Sequence, residues 1–168
     1  EQTRTWLLNW YRTHKDVDGA EAFLRRLAEA PDAGDNQKLA LVQFLHSARS
    51  AEAARMELDR LIDQNPENTA FRSIRASMAF EMGQTEQAIA AMTETLSLTD
   101  NPEDVADLRS LLARMLELTG DHAGARQQVD QILSQDKSHV EALKMRAGWL
   151  IEQDRTDDAI IALRTALD

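Results

Sequence analysis

The sequence predicts an all-α fold, an α-solenoid of antiparallel helix pairs with about ten helices in five repeats. Three observations predict it. Small residues recur at Ala20, Ala54, Ala88, Ala125 and Ala159, an almost constant spacing of the length that one helix pair with its turns occupies. Apolar residues flank them at three- and four-residue steps, the spacing that gathers side chains on one helix face. The punctuation between apolar runs is Gly, Asn–Pro and short polar stretches, and no β-rich run occurs anywhere.

The stretch from Asn65 to Leu98 shows the unit most clearly. Asn65 is read as an N-cap and Pro66 as the first helical residue, where a missing N–H is harmless. Phe71, Ile74, Met78 and Met82 then share a face, with Ala76 and Ala79 beside them. Gly83 suits the left-handed conformation that ends many helices. The second run places Ala88, Ile89, Met92 and Leu96 on one face and turns Glu86, Gln87 and Glu94 outward. Neither helix is long enough to be stable alone. They should pack as an antiparallel hairpin that still leaves apolar surface for a neighbouring pair.

The other units follow the same pattern. A first helix over about 2–14 carries Trp6, Leu7, Trp10 and Tyr11, read either as core or with one Trp exposed toward a preceding repeat or a partner. Asp18 and Glu21 have capping-box spacing for a helix over 18–30. Helices over 36–48 and 51–64 form the second unit, and their turn, Ala48-Arg49-Ser50, lacks a Gly and is expected to be less well defined. Asn101-Pro102 restarts the chain into 102–119, rich in Leu and Met (Leu108, Leu111, Leu112, Met115, Leu116), which Gly120 ends. A helix over 122–135 follows. Ser138 and Glu141 suggest a second capping box before helices over 139–153 and 156–168. The three-residue insertion ahead of Pro102 is expected to reset the superhelical step slightly. No linker is long enough to separate domains, so 1–168 is predicted as a single repeat domain with units of about 1–34, 35–68, 69–105, 106–139 and 140–168.

Other slots repeat with the same period. Leu24, Leu58, Met92, Val129 and Leu163 stand four residues after the small residue, and Ala28, Ile62, Leu96, Leu133 and Leu167 eight after it. First helices hold Leu8, Val42, Ala76, Ala113 and Ala147, then Tyr11, Leu45, Ala79, Leu116 and Leu150. In period and helix–turn–helix form the chain resembles the tetratricopeptide repeat family over its whole length. It departs from the family at an early slot usually filled by Trp, which here holds Arg4, Lys38, Arg72, Arg109 and Leu143. The family's Pro is clear at Pro66, and Pro102 is displaced by the insertion. These departures mark a divergent, bacterial-type array. The resemblance implies a right-handed superhelix whose concave surface is lined by first helices.

Net charge is −10, from 29 acidic and 19 basic side chains. Residues 1–84 carry 13 acids and 11 bases, residues 85–168 carry 16 and 8. Such a surface repels phosphate backbones, so no nucleic-acid partner is expected. No apolar run reaches the length that spans a bilayer, so no membrane insertion by this segment is expected. The absence of cysteine suits both cytoplasm and periplasm. The sequence begins Glu-Gln and stops within its last helix, and reads as a piece of a longer protein; no signal peptide is visible in it, which leaves open a leader or anchor in the parent chain.

No catalytic motif emerges. His14, His46, His122 and His139 never pair at helical spacing, and neither a glycine-rich phosphate loop nor a Gly-x-Ser-x-Gly elbow is present. Glu103-Asp104 and Asp157-Asp158 are explained by first-turn dipole complementarity. No enzyme activity, metal or cofactor is expected. Arg4, Lys38, Arg72 and Arg109 form a row read either as snorkelling side chains or as a basic stripe. Arg75 and Arg146, in slots usually apolar, are expected to pair with carboxylates or to snorkel.

The resemblance places Asn9, Arg12, Gln43, His46, Ser77, Phe80, Arg114 and Lys144 on the concave face as candidate peptide-binding residues, with Phe80 the apolar anchor. The carboxylate clamp of the family's co-chaperones is matched only at Asn9, so that role is disfavoured. The expected function is a protein–protein interaction scaffold holding a peptide or helix of a partner. A structural or self-association segment of a longer array, or a regulatory domain attached to an enzyme elsewhere in the parent chain, are the alternatives. A homodimer through the C-terminal repeat is expected because Trp149, Leu150, Ile151, Ile160, Ile161, Leu163 and Leu167 exceed what the fourth unit can cover.

Overall fold

The computed structural model describes residues 10–11 and 13–167. Among these residues there are nine complete helices and no strand. They are α1 (Val17–Ala28), α2 (Asp35–Ala48), α3 (Ala51–Gln64), α4 (Thr69–Glu81), α5 (Thr85–Leu96), α6 (Pro102–Leu118), α7 (His122–Gln135), α8 (Val140–Glu152) and α9 (Thr156–Thr165). The chain divides into two compact units, Glu1–Pro66 and Glu67–Asp168. The division falls just before the boundary expected between the second and third repeats.

In the first unit α1 packs on α2 and α2 on α3. Leu24, Leu41, Val42, Leu45, Leu58 and Leu61 fill the interior. An ion network ties the helices together along their edge. Glu57, only 6% exposed, lies between Arg25 at 3.4 Å and Arg60. Arg49 reaches from the end of α2 to Glu21 at 2.8 Å and to Asp18, both on α1. The Ala48–Ser50 turn, which lacks a glycine, is held by these ion pairs and by its own backbone and capping bonds. Ser50 N–H donates to Leu45 O at 3.0 Å, and Ser50 Oγ accepts from Ala53 N–H at 3.1 Å. Trp10 is 41% exposed and stacks on His14, while Tyr11 lies against Phe23. Trp6 lies outside the described residues.

The second unit contains three complete hairpins, α4/α5, α6/α7 and α8/α9, each packed on the next. The first helices α4 and α6 also touch. Two of the turns use glycine where a positive φ requires it. Gly83 (φ 83°) and Gly120 (φ 87°) stand just past the ends of α4 and α6. Gln84 N–H donates to Ala79 O and Gly83 N–H to Phe80 O, both at 2.9 Å, which satisfies two otherwise orphaned carbonyls. The third turn makes the same two bonds with Asp154 (φ 59°), a residue that tolerates this conformation better than most.

The small-residue register organises the interior. Ala20, Ala54, Ala88, Ala125 and Ala159 are all at most 5% exposed. One cluster of the second unit joins Ala76, Met92, Leu108, Leu112 and Met115, and another joins Ala113, Val129, Ile132, Leu143, Ala147 and Ala159. The register weakens in the last repeat, where Leu163 on α9 is 39% exposed and Leu167, just past the end of α9, is 87% exposed.

Several helix starts differ from the sequence reading. Asn68, not Asn65, caps α4, accepting from Phe71 N–H at 3.0 Å, and Pro66 lies in the preceding turn. Asp16 caps α1 through Gly19 N–H at 2.8 Å, so Asp18 falls inside the helix. Ser138 spends its hydroxyl on Asp136 at 2.8 Å, and the His139 ring caps α8 instead. Asn101 does cap α6, with Pro102 at its first position. The insertion ahead of it coincides with a lengthened first helix: α6 has 17 residues where α4 and α8 have 13.

Candidate functional site

In the second unit the first helices of three successive repeats bring one face each to a common cleft of about 330 Å³. Thr69, Ala70 and Ser73 come from α4; Asp104, Asp107, Leu108, Ser110, Leu111 and Arg114 from α6; Glu141 from α8. On α4 and α6 the recurring spacings of three and four residues put these side chains on one stripe. The repeat then aligns them in rows, Ala70–Asp107–Glu141 and Ser73–Ser110–Lys144. Ser73 and Ser110 are each 8% exposed and donate back to Ala70 O (3.0 Å) and Ala106 O (2.9 Å) within their own helices. Their donors are thus satisfied internally, and the polar chemistry open to a ligand lies at the rim.

That rim carries three carboxylates, Asp104, Asp107 and Glu141, against the guanidinium of Arg114. Glu141 bridges two repeats, accepting from Arg114 at 2.8 Å and from Lys144 at 2.9 Å. Its pKa is held below the ordinary glutamate value, first by the Lys144 hydrogen bond and further by the charges of Lys144 and Arg114, against a smaller opposing effect of burial. A carboxylate depressed in this way contributes stability above its unfolded pKa, and loses it as pH falls through the lower folded value. Exposure of all three groups keeps that contribution small. The expected result is a Glu141 carboxyl that titrates by NMR below the ordinary glutamate value and moves up toward that value in Lys144→Met. A midpoint unchanged by that substitution would remove the bridge from the account.

The structure brings together only some of the residues the sequence singled out. Arg114 lines the cleft, and Lys144 joins it through Glu141. Ser77 and Phe80 are half-buried further along α4, one and nearly two turns beyond Ser73. Phe80 packs on the cluster of Ala76, Met92, Leu108, Leu112 and Met115. Gln43 and His46 are exposed on α2, in the first unit, where Gln43 edges a separate cleft of about 920 Å³ between α2, α1 and Tyr11. Asn9 and Arg12 lie outside the described residues. The sequence reading did not select Asp104, Asp107 and Glu141 for the cleft. Glu141 had been explained as half of a capping box, and only its place in the row that runs from Ala70 through Asp107 would have revealed it.

Of the basic residues at the recurring early slot, Arg4 lies outside the described residues, and the two in the second unit are engaged within their own hairpins. Arg72, 20% exposed, reaches across its hairpin to Glu94, and Arg109 donates to Gln128 at 2.7 Å and to Gln131. Each guanidinium spans from a first helix to the second helix of its own repeat. Arg146 on α8 pairs instead with Asp130 on α7, in the preceding repeat. Among the described residues no three His, Asp or Glu side chains gather as a metal site. No helix among them is long and apolar enough to cross a membrane.

Residues 79–147 match the family model described as tetratricopeptide repeat. No curated protein matches the chain. Among solved structures the chain is similar to MamA, at 19% identity with TM-score 0.64, covering 95% of this chain and 92% of that one. It is similar to pilF of Pseudomonas aeruginosa at 14% identity with TM-score 0.70, covering 97% and 74%. It is also similar to YrrB, described as a TPR protein with an unusual peptide-binding site, at 16% identity with TM-score 0.59, covering 96% and 81%. At these identities the likeness is one of fold.

Proposed function

Residues 79–147 being of the tetratricopeptide repeat family, in a chain with that fold throughout its described residues, we propose that the protein is a non-catalytic scaffold that holds a peptide or helix of another protein against the inner face of its second unit. The observation that carries this reading is the cleft shared by α4, α6 and α8. Its floor is lined by Leu108, Leu111 and internally bonded serines, and its rim holds Asp104, Asp107 and Glu141. An extended segment alternating apolar residues with Lys or Arg matches both. Phe80 extends the apolar surface, and Arg114 supplies a donor for a carbonyl or carboxylate of the ligand. The peptide-binding site described for YrrB supports a role of this kind.

An array of peptides of that composition, followed by titration of the strongest binder, tests the reading. Replacing Phe80 and Arg114 together by Ala is expected to weaken binding at least about tenfold, the loss of about 1.4 kcal/mol that removing an apolar anchor and a rim donor entails. Unchanged affinity would place the site elsewhere, with Gln43 and the α1/α2 cleft of the first unit the next surface to examine.

A second reading, self-association through the C-terminal repeat, is favoured by a separate observation. Ile151, Ile160, Ile161, Leu163 and Leu167 are between 39% and 87% exposed. Such a run of exposed aliphatic side chains on one repeat is unusual for a monomer. Leu167→Glu is expected to abolish a dimer formed there, as read by sedimentation.

A further inference from the structure

Helix α9 has two unlike faces. Ala159 and Ala162, 1% and 8% exposed, lie against α8 with Ala166 beside them. On the opposite side Asp157, Ile160, Ile161 and Arg164 follow at steps of three, one and three residues, which is a single stripe of a helix. Ile160 is 44% and Ile161 62% exposed. The stripe is thus acidic at its beginning, aliphatic in the middle and basic at its end. Asp158, the neighbouring acid, is already held by Arg155 at 2.7 Å. Asp157 and Arg164 make no ion pair among the described residues.

This order is self-complementary when reversed. Two antiparallel copies of one helix face each other with residue numbers that add to a constant, because each residue advances the same distance along either axis. With Ile160 opposite Ile161, Asp157 stands opposite Arg164, and the symmetry makes the pairing occur twice. The same arrangement sets each helix N-terminus beside the other's C-terminus, which the helix dipoles favour. First-turn acids and last-turn bases are common for dipole reasons alone. What the dipole does not explain is their placement on the same exposed stripe as the two isoleucines.

We propose, building on the self-association reading above, that the occupant of this face is a second copy of the chain. Its α9 lies antiparallel about a two-fold axis between Ile160 and Ile161, with Asp157 of each copy paired to Arg164 of the other. The register makes a specific demand on charge reversals. Asp157→Arg puts Arg opposite Arg at both ends of the interface, and Arg164→Asp puts Asp opposite Asp. A heterodimer of the two single variants restores an opposite pair at each end, and so does the double variant with itself.

Sedimentation velocity on the whole chain, from micromolar to hundreds of micromolar, tests this with four proteins: wild type, Asp157→Arg, Arg164→Asp and the double variant. The wild type is expected to dimerise. Each single variant is expected to dimerise at least about tenfold more weakly, because one substitution is felt at two symmetric places. The equimolar mixture of single variants and the double variant are both expected to regain wild-type association. Circular dichroism should be the same for all four, since both positions are exposed. A wild type that stays monomeric throughout would overturn the proposal together with the self-association reading. A dimer abolished by Leu167→Glu but indifferent to the charge reversals, or single variants whose mixture stays monomeric, would overturn the register alone. The test stays valid even if one single variant proves poorly folded, because the double variant then reports on the same pairs.

Discussion

Ala88→Arg is expected to lower the denaturation midpoint steeply, while Gln87→Arg beside it leaves the midpoint within experimental error. Ala88 is 0% exposed at the point where α5 meets α4 and α6. An arginine there adds a long side chain to a filled contact, an overpacking that costs typically about 1–3 kcal/mol. It also brings a charge that must either be buried unpaired or force the helices apart, so the total is expected to exceed about 3 kcal/mol. Gln87 is exposed on the outer face of the same helix. Arginine is a good helix former, and a surface change of this kind falls within about 0.5 kcal/mol. Equal midpoints for the two variants in urea would contradict the packing register on which the repeat rests. The same contrast should recur at Ala54, Ala125 and Ala159, since each occupies that slot in its own repeat and is at most 1% exposed.

That register was legible in the sequence because burial at a close helix–helix contact constrains residue size every time the unit recurs. Ala88 alone says little, whereas five small residues at nearly constant spacing identify the contact. Helix starts were less legible. A cap depends on which of several nearby polar side chains reaches a free N–H, and Asn65 and Asn68 are chemically equal until Phe71 N–H selects one. Ser138 and His139 pose the same competition, settled when Asp136 takes the serine. The site was legible in part for a related reason. Position on a first helix sufficed to single out Arg114, which lines the cleft of α4, α6 and α8. Glu141 was hidden because its local role as a helix-start residue already accounted for it, and one of its two bridging partners, Arg114, lies a whole repeat earlier on α6. Ion pairs between repeats depend on side-chain reach across helices, which the helical period of one segment does not encode.

Phe71→Ala is expected to destabilise the protein by about 3–5 kcal/mol, as loss of a fully buried Phe does. Phe71 is 1% exposed and is among the largest wholly buried side chains of the described residues. It lies in the first turn of α4, and its N–H is the donor that Asn68 caps, so its side chain and backbone are both fixed by the start of the helix. Truncation leaves a cavity that this short helix cannot close without losing the cap. Phe80, further along the same helix, is expected to behave differently. It is only half-buried, so Phe80→Ala removes less burial and leaves a recess open to solvent, for a loss of about 1–2 kcal/mol. The two substitutions delete the same atoms from the same helix, and the difference between them measures how much less of Phe80 is buried in the folded protein. Thermal and urea unfolding of both variants decides the matter. If Phe80→Ala proved as damaging as Phe71→Ala, Phe80 would be a core residue, and the apolar anchor assigned to the inner face would have to be withdrawn.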